Sequence, residues 1–311
     1  MNIDDELIES IPMPLSHSFG FARLRVGLQV GGTIIIEKGL LFVNLLFDKI
    51  IRYKVNALCM VPAAYELMLT TYLPIFMRFA HDLKIIELGS ASLKKEYKRQ
   101  LVELCPNATI CMHFGSTEAS RSVFINFKED APFLDSIGKA SPNVELILVD
   151  DNGNIIEKPN TPGQMIVKSE NIAKGYWNEK DLTQSRFGSQ GFKTGDYAKY
   201  DTSGYLYYLG KKENILNIDG FLVSPKEIES TILNYPGIVD VAVTSKQGEQ
   251  ENGKCIIAHI VKDKFVDTNE LRKFCNNDLE PYKIPESFIF IDEIPKTWSG
   301  KIEKFKLQTL D

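Results

Sequence analysis

The sequence predicts an α/β fold: a partial large domain, built on a mostly parallel sheet with helices plus a small β-rich lobe, followed by a small α+β domain. Three changes of texture carry this expectation. Short apolar runs alternate with helical patterns up to Gly115, turn-rich strand patterns begin near residue 136, and a capped helix with further strands follows Gly210. Alternation of the first kind is the pattern of βαβ units.

Taken in order, TIII (33–36) reads as a buried strand, residues 40–53 as a helix, and ALCMVP (57–62) as a strand ended by Pro62. LKIIELG (83–89) is a strand stopping at a glycine, a charged amphipathic helix follows near 93–104, and TICMHFG (109–115) is a strand ending at Gly115. Parallel sheets collect ligands where their strands end, so the loops after Gly89 and Gly115 are singled out. From about 136 the lobe begins, with VELILVDDNGNII (144–156) predicted as a hairpin around Asn152-Gly153. After Gly210, Ser224, Pro225 and Glu227 stand at the N-cap, N1 and N3 positions of a capping box, starting a helix through Leu233. Strands at 238–245, 255–262 and 286–292 and a helix at 268–279 complete this module. The expected domains are 1–212, with the lobe at 136–210, and 213–311.

With 311 residues, 44% hydrophobic and 25% charged, the chain is ordinary globular material, which excludes disordered and collagen-like classes. A net charge of −5 without long like-charge runs argues against nucleic acid as the main partner. Five cysteines, odd in number and without a CxxC, fit reduced cytosolic thiols better than disulfides or zinc. The acidic start lacks the features of a secretion signal, and the most apolar stretch is broken by Glu37, Lys38 and Asp48. A cytoplasmic protein without a membrane span is expected.

Five segments stand in one order: PLSHSFG (14–20), GSASL (89–93), HFGSTE (113–118), the long stretch 192–229 containing TGD, and PKTWSGKI (295–302). Together they resemble the adenylate-forming (AMP-binding) superfamily of acyl-CoA synthetases, adenylation domains and luciferases, over nearly the whole chain. The resemblance implies an AMP-forming carboxylate ligase, most like an acyl-CoA synthetase. Its cofactors would be ATP/AMP and Mg²⁺, its acceptor CoA or the phosphopantetheine of a carrier protein, and its other substrate a small-molecule carboxylate.

The chemistry explains the residue types. Joining a carboxylate to the α-phosphate of ATP brings two anions together, so cations and donors must meet the developing charge. Mg²⁺ prefers hard oxygen ligands shared with phosphate. By resemblance Glu118 is that ligand and Thr117 a phosphate contact; Glu118 could instead serve as an acid at a helix N-terminus. Asp196 is implied to accept from both ribose hydroxyls, or else is a turn residue beside Gly195. Gly89, Ser90, Ala91, Ser92, His113, Phe114 and Gly115 correspond to adenine-binding segments, with Phe114 alternatively a core aromatic. Lys211 stands where the family carries an arginine, losing the planar fork.

Lys301 is the terminal catalytic lysine by resemblance; it is no Walker lysine, because Ile302 follows it. Glu213 matches the hinge about which the small lid domain turns, and Asn217, Asp219 and Gly220 the loop brought to the thiol. His17 and Phe19 match a segment lining the acyl pocket, with a satisfied buried histidine the alternative for His17. The family's Ser/Thr/Gly-rich phosphate loop has no counterpart here, since only MNIDDELIESIPM precedes PLSHSFG. The expectation is a chain weak or inactive alone, completed by a polypeptide carrying the missing half or self-associated. Two alternatives stay open: an inactive remnant that binds nucleotide, acyl-adenylate or a partner, and one half of a split ligase.

Overall fold

In the computed structural model, which describes residues 3–37, 39, 43–218, 221–247, 254–296, 302–303 and 306–307, the chain opens as β1 (Ile8–Ile11), α1 (Ser18–Val30), β2 (Thr33–Ile36) and α2 (Val43–Arg52). There follow β3 (Ala57–Met60), α3 (Pro62–Thr70), α4 (Leu73–Phe76), β4 (Ile85–Leu88), α5 (Lys95–Leu104), β5 (Thr109–Phe114), β6 (Val123–Asn126) and β7 (Lys139–Ala140). All seven strands share one sheet in the order β2-β1-β3-β4-β5-β6-β7. The pairs from β2 to β5 are parallel, and β5–β6 and β6–β7 are antiparallel.

Strands β3 and β4 are buried along their whole length, as parallel strands covered on both faces must be. Leu58, Met60, Ile86 and Ile110 pack with Leu46, Ile50, Tyr65, Met68 and Leu101 from the helices. Pro62 opens α3 at its first turn, where its missing N–H costs nothing. One expectation needs correction. Thr33–Ile36 is not a buried strand: β1, absent from the sequence reading, lies between it and β3, leaving β2 at the edge with Ile36 54% exposed. Within PLSHSFG the chain turns into α1, with His17 as its N-cap.

Next come β8 (Glu145–Val149), β9 (Gly163–Lys168), α6 (Lys180–Arg186), β10 (Phe187–Gly188), β11 (Gly191–Tyr200) and β12 (Leu206–Lys211). They form a sheet in the order β10-β11-β9-β8, with β12 beside β11. The hairpin expected at 144–156 is only a turn. The Asp150 carboxylate accepts from the amides of Asn152 and Asn154 at 2.9 and 2.8 Å, and the return is a single bridge between Val149 and Ile155. Lys158-Pro159-Asn160-Thr161-Pro162 follows, where two prolines lack the donors a ladder needs.

The last segment holds β13 (Leu216–Ile218), β14 (Phe221–Val223), α7 (Pro225–Leu233), β15 (Ile238–Gln247), β16 (Lys254–Lys262), α8 (Thr268–Asp278) and β17 (Ser287–Phe290). β15 and β16 pair antiparallel and β16 and β17 parallel. Ile228, Ile232 and Leu271 of the two helices pack with Val241, Val243 and Ile260 of the sheet. Helix α7 begins as its capping pattern requires, Ser224 Oγ accepting from Glu227 N at 3.4 Å.

The chain divides into two compact units, one of residues 1–161, 165–194 and 200–207, the other of 162–164, 195–199 and 208–311. The five cysteines form no disulfide with one another. No helix among the described residues is long and apolar enough to cross a membrane.

Candidate functional site

In the first unit, neighbouring parallel strands β4 and β5 end at Leu88 and Phe114, so the segments 89–92 and 115–118 leave the same edge of the sheet. Ser90 holds a left-handed conformation, φ 75°. The second loop closes on itself: Ser116 N donates to Ala119 O at 3.2 Å, and Ser116 Oγ accepts from Ala119 N at 3.3 Å. A Cβ on Gly115 would stand 2.6 Å from Arg121 N, so only glycine lets the loop's ends approach this closely.

Glu118 is anchored twice. Its carbonyl accepts from Ala173 N at 2.7 Å and its Oε1 from the Tyr176 hydroxyl at 2.7 Å. Burial and the Glu118 carboxylate push the Tyr176 phenol up to about 12, so it remains a donor at neutral pH. Thr117 Oγ1 lies 3.5 Å from Ser18 Oγ.

Beneath these loops lies a buried charged layer that sequence reading missed. Arg23 Nε and Nη2 donate to Glu9 at 2.6 and 2.8 Å, and Nη1 donates to Glu87 Oε2 at 3.0 Å. Glu87 Oε1 also accepts from Arg121 Nε at 2.8 Å and lies 2.8 Å from His113 Nδ1. Burial alone would raise Glu87; the His113 contact and the Arg121 and Arg23 charges outweigh it and hold the carboxyl near 2. For Glu9 burial wins and its pKa rises. The signal was available: glutamates centred in IESI and IIEL, within parallel strands, require a buried cation.

Two expected site residues face this layer. His113 presents its ring to Glu87 and Phe19, the latter edge-on at 4.6 Å, with its side chain 8% exposed. Phe19 is 2% exposed and packs with Ile11, Met13 and Cys59. Phe114 is half-buried, paired with Val123 across β5–β6.

His17 keeps a place at an opening. Its Nδ1 accepts from Phe19 N at 3.3 Å, capping α1. Its side chain also borders an apolar cavity of about 330 Å³ with Pro12, Met13, Met60, Val61 and Ser90, at the C-terminal ends of β1, β3 and β4.

In the second unit, Asp196 is 4% exposed, its Oδ1 lying 2.8 Å from Lys211 Nζ and accepting from the Tyr208 hydroxyl at 3.2 Å. The structure thus joins two expected residues and adds Tyr208, whose phenol is raised by burial and by Asp196. Glu213 lies in the short turn Lys212–Asn214 between β12 and β13, and Asn217 pairs with Leu222. Asp219, Gly220 and Lys301 lie outside the described residues.

The donor set can be tested against magnesium. No cluster of three or more His, Cys, Asp or Glu among the described residues could hold a metal unaided. Glu118 offers one fixed hard-oxygen ligand, which fits an ion that takes one or two carboxylates and draws its other ligands from phosphate and water.

Residues 4–177 match the family model described as AMP-binding enzyme. The chain belongs to this AMP-binding enzyme family. The model of the family's C-terminal domain matches residues 227–301. Among curated relatives of this family member, 4-coumarate–CoA ligase-like 2 of Arabidopsis thaliana is 28% identical over 96% of this chain and 54% of its own length. 2-Succinylbenzoate–CoA ligase of Listeria monocytogenes is 32% identical over 73% of this chain and 46% of its own. The chain therefore spans about half the length of the curated relatives it matches.

Among solved structures, o-succinylbenzoate CoA synthetase from Bacillus subtilis, in complex with the acyl-adenylate intermediate OSB-AMP, superposes with a TM-score of 0.84 at 26% identity. It covers 99% of this chain and 62% of that one. ATP-bound MatB from Rhodopseudomonas palustris gives 0.82 at 27% identity, over 99% and 60% of the two chains. The α/β fold with a parallel-rich sheet and a small C-terminal domain is that of these enzymes.

Proposed function

We propose that this chain carries the nucleotide-binding half and the lid of an AMP-forming acid–thiol ligase, which makes an acyl-adenylate from a carboxylate and ATP and then a thioester with CoA or a carrier thiol. The observation that carries the reading is the Gly115–Glu118 loop at the end of β5, with a hydroxyl and a fixed carboxylate side by side in the order the family uses. CoA ligases among the relatives and ATP-bound and adenylate-bound neighbours support it.

In this reading the residues divide the work. Gly89–Ser92 and Phe114 border the adenine, Thr117 donates to phosphate, and Asp196 takes the ribose hydroxyls, a step that displaces its contact with Lys211 or Tyr208. Glu118 would hold Mg²⁺, which supplies charge neutralisation at the phosphates. His17 and the apolar cavity beside it take part of the acyl group, and the lysine at 301 serves adenylation after Glu213 lets the lid turn.

Calorimetry with AMP tests the reading. Binding to the wild-type chain, lost in Asp196→Ala while circular dichroism shows that the variant is still folded, is expected; a wild-type chain that binds neither AMP nor a non-hydrolysable acyl-adenylate overturns it. AMP release from ATP, Mg²⁺, CoA and a panel of carboxylates then separates a turning-over ligase from a chain that only binds.

A further inference from the structure

We propose that Glu87 is the positioning residue of this nucleotide site, a single buried carboxylate that fixes the 89–92 and 115–118 loops relative to one another. The inference rests on the nucleotide reading above but is drawn from contacts independent of it. Glu87 is the third residue of β4 and lies two residues before Gly89. Its Oε1 meets both His113 Nδ1, at 2.8 Å, and Arg121 Nε, at 2.8 Å. His113 immediately precedes Phe114, and Arg121 closes the loop that begins at Gly115.

The His113 ring also fills the space over Gly89, where any Cβ would stand 2.2 Å from Cε1. One carboxylate therefore holds the ring that spaces the two strand ends and the arginine that shuts the second loop. From the other side Arg23 grips Glu87 and Glu9 together, so Glu87 is itself fixed by α1 and β1.

Stability alone gives no reason for such a layer in an apolar sheet, because buried ion pairs are often replaced by hydrophobic groups without loss. What the layer supplies is geometry. A carboxylate that accepts directed bonds from Arg23 and Arg121 and touches the His113 ring sets the spacing of three segments more narrowly than apolar packing, which tolerates sliding and repacking.

The test uses the full chain, with hydrogen exchange of the ligand-free protein and calorimetry with AMP. Glu87→Gln keeps the shape and removes the charge. Faster exchange is expected at both loops and not in α2 and α3, and AMP affinity should fall by about tenfold, because binding must then order loops that the wild type holds in place. Arg121→Gln, at a partly exposed side chain that folding tolerates better, should loosen 115–121 and spare 89–92.

Exchange unchanged at the loops, or raised uniformly through the first unit, overturns the proposal, as does unaltered AMP affinity once the loops have loosened. If Glu87→Gln does not fold, the Arg121→Gln pattern decides. A wild-type chain that fails to bind AMP defeats the nucleotide reading, while the exchange maps still decide whether Glu87 fixes the loops.

Discussion

Gly89→Ala is the sharpest single perturbation of the first unit. The new Cβ would lie 2.2 Å from Cε1, 2.4 Å from Nε2 and 3.0 Å from Nδ1 of His113. The ring has little room to retreat, since Nδ1 lies 2.8 Å from Glu87 on one side and Phe19 stands edge-on at 4.6 Å on another. Overpacking of this kind costs about 1–3 kcal/mol, and a ring pinned by a buried carboxylate places the cost in the upper half of that range. In the His113→Ala background the obstacle is gone, and the same methyl should cost less than about 0.5 kcal/mol, so a coupling of roughly 1–2 kcal/mol is expected. Urea unfolding of the four members of this cycle, followed by far-UV circular dichroism, measures it. A methyl that costs the same with and without the ring, or nothing in the wild type, would refute the claim that the histidine fills the space over Gly89.

Two further outcomes follow from buried polar groups. Lys98 is 3% exposed and donates to the Leu134 carbonyl at 2.5 Å, and burial pulls its pKa down to about 8 against an ordinary 10.5. Between these two values the folded state binds fewer protons than the unfolded one, so stability rises with pH there. Relative to Lys98→Met, the wild type should gain about 1–2 kcal/mol between pH 7 and 9.5 in chemical unfolding, and a difference independent of pH contradicts the burial argument. In the second unit, Ser224→Ala removes both the cap on Glu227 N and the bond from Ser224 Oγ to the Leu209 carbonyl. The cost should be about 1–2 kcal/mol by thermal unfolding, and a neutral result would show that α7 does not need its cap.

Much of the fold could be read because its signals are local. The glycine-terminated strands before 89 and 115, the amphipathic α5 and the capped α7 each follow from a few neighbouring residues, and they appear within a residue or two of their expected ends. β1 was missed because four residues with a central Glu-Ser make no alternating or apolar pattern; only the Arg23 side chain from α1 makes that sequence tolerable inside a sheet. The hairpin at 144–156 was shortened for the opposite reason: its turn signal was real and Ile156 N still donates to Leu148 O at 2.8 Å, but Pro159 and Pro162 beyond it supply no donors to carry the pairing further.

The same division runs through the candidate site. Residue identity and order along the chain were enough to establish which loops leave the sheet, which family the motifs belong to, and that Thr117 and Glu118 sit together. Folding alone decided that His113 turns from the loops toward Glu87, that Phe19 is core, that Tyr176 holds Glu118, and that Asp196 is paired with Lys211. Each of those depends on side chains far apart in sequence meeting where water is scarce, and a carboxylate's partner there is set by distance in space, which no local pattern encodes.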